Sequence, residues 1–303
     1  MINSTVTAPG ARASLLQIDS QRFQERFDRQ PFLVRHRLDD HPLFSLPRLI
    51  ELARALPEDR VEYNAGDVPV SLDPTRTPRT GLSVDETIRR IEECRSWMVF
   101  KNVERDPEYR ALLDTCLDQV REHSESLWPG MGRREGFIFV SSPGSVTPYH
   151  MDPEHNFLLQ IRGQKQVSLF DGEDRELLTE RELEKFYARG HRNLVFTDAN
   201  QQKAQVFALA SGDGLYFPVT WPHWVKNGSQ VSVSFSITFR TASSDRREVL
   251  YRVNERLRRV GIHLPPVGHS ELVDGAKYQA FRTLARAHRL FGGRGAAAVR
   301  SYQ

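Results

Sequence analysis

The hydrophobic positions of this chain change their spacing twice. Up to about residue 135, amphipathic helices alternate with short strand candidates. Ser45-Leu46-Pro47 opens the first helix, in which Leu49, Ile50, Leu52, Ala53 and Leu56 share one face and Pro57 closes it. Ser83-x-x-Glu86 is a capping-box pattern for a second helix over 83–94, which turns Ile88 and Ile91 to one side. Asp106-Pro107 begins a third, where Leu112, Leu113, Cys116, Leu117 and Val120 recur at helical spacing. Core packing is the expected role of these faces. The strand candidates between them are 31–35, 61–64 and 97–103. Residues 67–81, rich in Pro, Thr and Arg without periodicity, are expected to form a loop.

Between residues 136 and 240 the pattern becomes that of strands. Candidates are 137–141, 157–161, 165–170, 193–196, 205–209, 214–217 and 231–240, with one acidic-basic helix inserted at about 175–189. Short strands in such numbers, punctuated by Gly, Pro and Asp, suggest a barrel or sandwich. The last alternates cleanly: Val231, Val233, Phe235, Ile237 and Phe239 on one face, Ser232, Ser234, Ser236 and Thr238 on the other. The apolar face is core; the hydroxyl face is either solvated or lines a polar cavity. After Ser244 helical stripes return, Val249, Leu250, Val253 and Leu257 in one, Tyr278, Phe281, Leu284 and Ala285 in another. The organisation expected is a flexible N-terminus over 1–14, one domain over 15–243 and a C-terminal helical region over 244–303.

Composition adds bounds. With 303 residues, 39% hydrophobic and 27% charged, the chain has what a globular core needs. A net charge of +3 is too small to argue for nucleic acid as a partner. The segment after Ser244 carries 12 Lys and Arg against 5 Asp and Glu, a local +7, which is either a positive rim for an anionic substrate or a solvated helix face. The two cysteines, Cys94 and Cys116, sit in helical patterns and supply neither a disulfide framework nor a Cys-based zinc site. No apolar leader or membrane span is visible, so a cytoplasmic protein without a membrane partner is expected.

The candidate chemistry lies in two stretches. T-P-Y-H-M-D, residues 147–152, places His150 and Asp152 two residues apart, just before two strands joined at Arg162-Gly163; G-D-G-L-Y-F-P-V-T-W-P-H-W, residues 212–224, carries His223. Two imidazoles and one carboxylate can occupy one face of an octahedral metal and leave the other positions open, the pattern of non-haem Fe(II) oxygenases. Asp152 and His223 are 71 residues apart, which excludes a single local loop; an antiparallel barrel would bring the two ends together. His-x-Asp alone is weak, and its surroundings matter. Lys165 shares a strand face with Val167 and Leu169 if the alternation is strict, and an ammonium aimed into a barrel is costly unless it meets an anion. A twist that carries Lys165 to solvent is the alternative. Trp221 and Trp224 flank His223, either as packing or as the rim of a pocket.

Taken together, residues 136–240 resemble the catalytic core of the JmjC-type cupin-like oxygenases, which use Fe(II) and 2-oxoglutarate, and are particularly similar to the asparaginyl hydroxylase of hypoxia-inducible factor. The family's His-x-Asp falls on His150 and Asp152 and its distal histidine on His223. The lysine fifteen residues beyond the first histidine, which binds the far carboxylate of 2-oxoglutarate, is Lys165; the threonine three before it is Thr147 and the asparagine six after it is Asn156. The asparagine of the last core strand is Ser236 here, and no counterpart is placed for the family's 2-oxoglutarate tyrosine. The resemblance covers about a third of the chain. It implies a double-stranded β-helix with helices outside, Fe(II), 2-oxoglutarate and O2 as cofactor and cosubstrates, and hydroxylation of a C–H bond. The substrate implied is an amino-acid side chain in a peptide or protein, with a small-molecule metabolite as the alternative and Trp221, Trp224 and 67–81 as candidate contacts. A cupin with another metal and a non-oxidative or non-catalytic role is the remaining reading. Similar enzymes dimerise through C-terminal helices, so a homodimer is expected as well.

Overall fold

The computed structural model describes residues 14–73, 78, 80–188 and 190–291; the segment expected to be flexible lies outside these but for Ser14. In chain order the elements are β1 (Leu16–Gln17), α1 (Ser20–Arg26), β2 (Phe32–His36), α2 (Leu46–Ala55), β3 (Val61–Ala65), α3 (Val84–Arg89), β4 (Ser96–Lys101), α4 (Pro107–Ser124), β5 (Gly132–Ser141) and β6 (Val146–His150). There follow β7 (His155–Arg162), β8 (Lys165–Leu169), α5 (Glu180–Tyr187), α6 (Asp198–Gln201), β9 (Gln205–Leu209), β10 (Asp213–Phe217), β11 (His223–Asn227), β12 (Ser232–Arg240), α7 (Ala242–Arg259) and α8 (Glu271–Phe291).

The strands form two sheets, an eight-stranded one in the order β1-β2-β10-β7-β12-β5-β4-β3 and a four-stranded one in the order β6-β11-β8-β9, antiparallel throughout. From β5 onward the chain changes sheet at every connection except the long one from β8 to β9, which carries α5 and α6. This is the interleaving of a double-stranded β-helix, and it has a consequence for the run 155–170. Its two strands are sequence neighbours but not partners: β7 lies in the large sheet and β8 in the small one. The corner between them needs Gly163, whose φ is +74° and whose absent Cβ would lie 2.5 Å from the Val231 carbonyl oxygen.

Strand alternation decides which side chains reach the interior. On β12, Val233, Phe235, Ile237 and Phe239 face outward into the main core, where Phe23 of α1, Leu49 and Leu52 of α2, and Leu113, Cys116, Leu117 and Val120 of α4 cover them. The hydroxyl face turns inward and is fully buried. It is satisfied there: Ser234 Oγ donates to Gln160 Oε1 at 2.7 Å, Gln160 Nε2 donates to Ser232 Oγ at 3.0 Å, and Thr238 Oγ1 donates to the Glu135 carbonyl at 3.1 Å. A buried hydroxyl row holds because each member finds a partner. Between the sheets Leu158, Val167, Leu169, Leu209, Leu215, Phe217 and Val225 form a smaller apolar cluster.

Local chemistry accounts for most helix boundaries. Asp106 caps α4 through the backbone N–H groups of Glu108 and Tyr109, with Pro107 in the first turn. The Ser83 capping box with Glu86 is present, yet α3 ends at Arg89 because the chain turns at Arg90 and again at Arg95, φ +48°, to enter β4; Ile91 is still buried, in the turn. The helix expected over 175–189 is α5 alone, started by a Thr179–Glu182 capping box. The strand expected over 193–196 is absent but for a single bridge between His150 and Asn193. β6 and β11 were not foreseen as strands.

α7 lies on α5 through a double contact of Arg258 with Glu184, at 2.7 and 2.9 Å, and an Arg181–Glu255 pair. Arg247 pairs with Asp28, Arg252 with Glu248 and Arg259 with Glu255, so much of the excess positive charge on α7 is neutralised where it stands. No helix among the described residues is long and apolar enough to cross a membrane.

Candidate metal centre and anion pocket

β6 and β11 are direct neighbours in the small sheet, with His150 opposite His223. The separation of 71 residues between Asp152 and His223 is thereby closed by a strand pairing rather than by a loop. Asp152 follows two residues after β6, and its backbone carbonyl accepts from Thr220 N at 2.9 Å, which ties the two ligand-bearing turns together. Thr220 has φ +60°, an uncommon value for a β-branched residue, next to the Trp221-Pro222-His223 turn.

The side chains converge. The imidazole centroids lie 4.2 Å apart, and Asp152 Oδ2 is 3.8 Å from His150 Nε2 and 3.7 Å from His223 Nε2. One potential ligand atom from each residue falls within 4.8 Å of the other two. Two atoms at about 2.1 Å from one ion and at right angles are about 3.0 Å apart, so closing the set requires shifts of under roughly an ångström.

Protonation follows from the partners of the other ring nitrogens. His150 Nδ1–H donates to the Pro148 carbonyl at 2.7 Å and His223 Nδ1–H to the Trp221 carbonyl at 3.0 Å. A carbonyl only accepts, so in the neutral rings the proton sits on Nδ1 and the Nε2 lone pair faces the site. Burial, with a smaller contribution from His223, pushes the His150 imidazole down to about 3. Burial also lowers that of His223. For Asp152, burial opposes ionisation, but His150, Arg192 and His223 outweigh it and hold the carboxyl below its usual value. Two buried neutral imidazoles and one half-buried carboxylate form a donor set suited to a transition-metal dication.

The interior also holds an ammonium. Lys165, at the start of β8, is 5% exposed, and among the described residues no carboxylate pairs with it. Burial pushes it down to about 7. Its cross-strand neighbours are Asn227 and Leu209. Thr147 of β6 stands opposite Val225, and Val225 opposite Val167, so Thr147 and Lys165 lie on the same inward face of the small sheet. From the large sheet, Asn156 and Ser236 are joined by a 2.7 Å bond in which the Ser236 hydroxyl donates to Asn156 Oδ1. His155, closer in sequence to Asp152 than His223 is, faces the other way: its ring stacks on Phe27 and Phe239 in the outer core.

Both tryptophans pack against neighbours, Trp221 buried and Trp224 half-buried. Trp221 is 4% exposed in the inter-sheet cluster, and its indole packs on Gly172. Trp224 follows His223 on β11 and therefore points to the opposite face, where it meets Phe196 and donates to Gln201 Oε1 at 3.1 Å. The segment 66–72 does lie beside the ligands: Tyr149 N donates to the Val70 carbonyl at 2.8 Å and Asn193 Nδ2 to the Leu72 carbonyl at 3.1 Å. One residue of the site carried no mark in the sequence. Arg192, in an aperiodic stretch, contacts Asp152 Oδ1 at 3.2 Å.

Residues 28–245 match the cupin-like domain family. Over 146 residues the chain is 35% identical to JmjC domain-containing protein D of Dictyostelium discoideum, a region that is 43% of this chain and 29% of that protein. Over 102 residues it is 30% identical to lysine-specific demethylase 8 of Danio rerio, covering 32% and 24%. The matched region thus spans less than a third of each of these relatives. Among solved structures, Escherichia coli YcfD superposes with a TM-score of 0.53 at 17% identity, covering 91% of this chain and 69% of YcfD. A structure of that ribosomal oxygenase with cobalt and 2-oxoglutarate gives 0.50 at 17% identity, covering 90% and 68%. At that identity the likeness is one of fold.

Proposed function

The chain belongs to the cupin-like domain family, and on that footing we propose that it is an Fe(II)- and 2-oxoglutarate-dependent dioxygenase that hydroxylates an unactivated C–H bond of an amino-acid side chain in a peptide or protein. One observation carries the reading. Two buried imidazoles turn their Nε2 lone pairs toward a single carboxylate oxygen, in an interior that also contains an ammonium with no carboxylate partner among the described residues.

In this reading His150, Asp152 and His223 hold the metal through Nε2, Oδ2 and Nε2. When bound, iron and 2-oxoglutarate together activate O2, so that one oxygen atom enters a substrate C–H bond and the other leaves in succinate with release of CO2. Lys165 pairs with the far carboxylate of the cosubstrate, where a charge-assisted contact in a desolvated site is strongest. Thr147 offers a hydroxyl on the same face, and Ser236 holds the Asn156 carbonyl so that its amide N–H groups are free to donate. The inter-sheet apolar cluster keeps water from the interior. Residues 67–72, hydrogen-bonded beside the ligands, are the part of the 67–81 stretch that we assign to substrate contact.

The test is chemical. Purified protein with Fe(II), 2-oxoglutarate and ascorbate should form succinate, and a screen of peptides and metabolites should find one whose mass rises by one oxygen atom. No succinate with any substrate would sink the reading. Loss of a methyl group from a methylated lysine peptide would replace hydroxylation by the demethylation that the zebrafish relative's name describes.

We also propose a homodimer through α8, on which Leu272 is 88% and Leu284 70% exposed. Light scattering that gives a monomer at tens of micromolar, on the order of the affinities of weak interfaces, would overturn it.

A further inference from the structure

We propose that Arg192 is a positioning residue that divides the two oxygens of Asp152, engaging Oδ1 so that only Oδ2 is offered to the metal. The inference rests on the metal reading above, and the geometry behind it is specific. Residues 191–194 lie antiparallel to the ligand end of β6: Met151 N donates to the Arg192 carbonyl at 3.2 Å and Leu194 N to the Tyr149 carbonyl at 3.0 Å, around the His150–Asn193 bridge. Asn193 Nδ2 fastens the same segment to the Leu72 carbonyl at 3.1 Å. The backbone of Arg192 is thus fixed opposite Met151, one residue before Asp152. Its Nη1 reaches Asp152 Oδ1 at 3.2 Å, while Oδ2 is the oxygen nearest both imidazoles, at 3.8 and 3.7 Å.

A ligand carboxylate without such a partner can turn both oxygens to a cation, and each extra protein atom on the ion takes a position from the reactants. With Oδ1 engaged, the protein supplies three atoms and no fourth. Arg192 is not placed for strong stabilisation: its side chain is 27% exposed and the 3.2 Å contact is long for a charge-assisted bond. Its charge even opposes a dication next to Asp152. Removing it should leave metal affinity equal or higher, so affinity is the wrong readout and the mode of coordination is the right one.

The experiment uses full-length protein with Co(II) in place of iron, and Arg192→Met and Arg192→Lys variants. Visible Co(II) absorption reads the ligand field, since a carboxylate oxygen that replaces a solvent ligand shifts the bands. Nitric oxide titrated into the Fe(II) protein with 2-oxoglutarate, read by electron paramagnetic resonance, reports the open position. The expected result is that Arg192→Met binds Co(II) at least as well as wild type but with shifted bands, and that nitric oxide saturation at a fixed concentration falls several-fold. Arg192→Lys, which keeps the charge without the fork, should fall between. If Arg192→Met does not fold, the lysine variant decides alone by the same two readouts. Wild-type bands and wild-type nitric oxide saturation in every folded variant would overturn this proposal alone. A wild-type protein that binds no Co(II) would overturn the metal reading, and this proposal with it.

Discussion

Lys165 carries a pH dependence whose sign is fixed by its burial. Its folded value, about 7, lies below its ordinary one, so the buried charge costs stability. That cost is absent above the unfolded value near pH 10.4, grows as the pH falls, and is complete below about 7. An anion that pairs with the ammonium restores the proton. Binding of 2-oxoglutarate to the Co(II) protein at pH 8 should therefore take up a proton, and affinity should fall by up to about tenfold per pH unit above 7. Calorimetry in two buffers of different ionisation enthalpy measures the uptake. Lys165→Met should abolish it, and a wild-type protein with no uptake would show that the ammonium does not meet the cosubstrate. Much of the site at this scale was legible in the sequence. The His-x-Asp pair, the distant histidine and the lysine stood out as polar groups at or beside strand ends, and the fold gathers the two histidines and the aspartate at one point. Arg192 was not legible, because its place depends on a connection laid against β6 that has no periodicity of its own. The tryptophans were ambiguous for a related reason: whether a residue beside His223 faces in or out depends on where β11 begins.

At the scale of elements, β12 shows best what alternation encodes. Phe235 is fully buried in the outer core, with its ring 5.3 Å from that of Phe44, just before α2. Phe235→Ala should cost about 3–5 kcal/mol, read as a lower urea midpoint with unchanged slope. A loss below about 1 kcal/mol would mean that the outer core collapses around the gap, against its close packing. The strand and its two faces were visible in the sequence, but the fate of the hydroxyl face was not. Solvated and interior serines alternate identically, and only Gln160 and Asn156 on β7, far away in the chain, decide between them. Helices were legible where a cap begins them, as Asp106 and Ser83 do, and less so where a tertiary turn ends them, as after Arg89. β6 and β11 were missed because Pro148 interrupts the one and Pro222 precedes the other, and a bulge between His223 and Val225 breaks their register.

At the scale of the whole molecule, the metal site joins strands that the chain reaches 71 residues apart, so an ion bound only by the folded state should act as a staple. At one hundred times its dissociation constant, Co(II) should add about 2.7 kcal/mol, seen as a rise in Tm of several degrees. Asp152→Ala should remove that rise while the metal-free Tm changes little; a rise that survives in the variant would place the ion elsewhere. The pairing of β2 with β10 has an outcome of another kind. Phe32 lies opposite Tyr216, a residue made 184 positions later. At about 5–20 residues per second, roughly ten to forty seconds pass before β2 can pair with β10. Through that interval Phe32 can pack on Phe23, made before it, but the second edge of β2 stays unpaired, with Arg35 and Arg37 beside it to discourage association with other nascent chains. A strand near the start of the chain is thus among the last to gain both its partners. Limited proteolysis of ribosome-held chains of increasing length should find residues 32–36 cleavable until β10 has emerged.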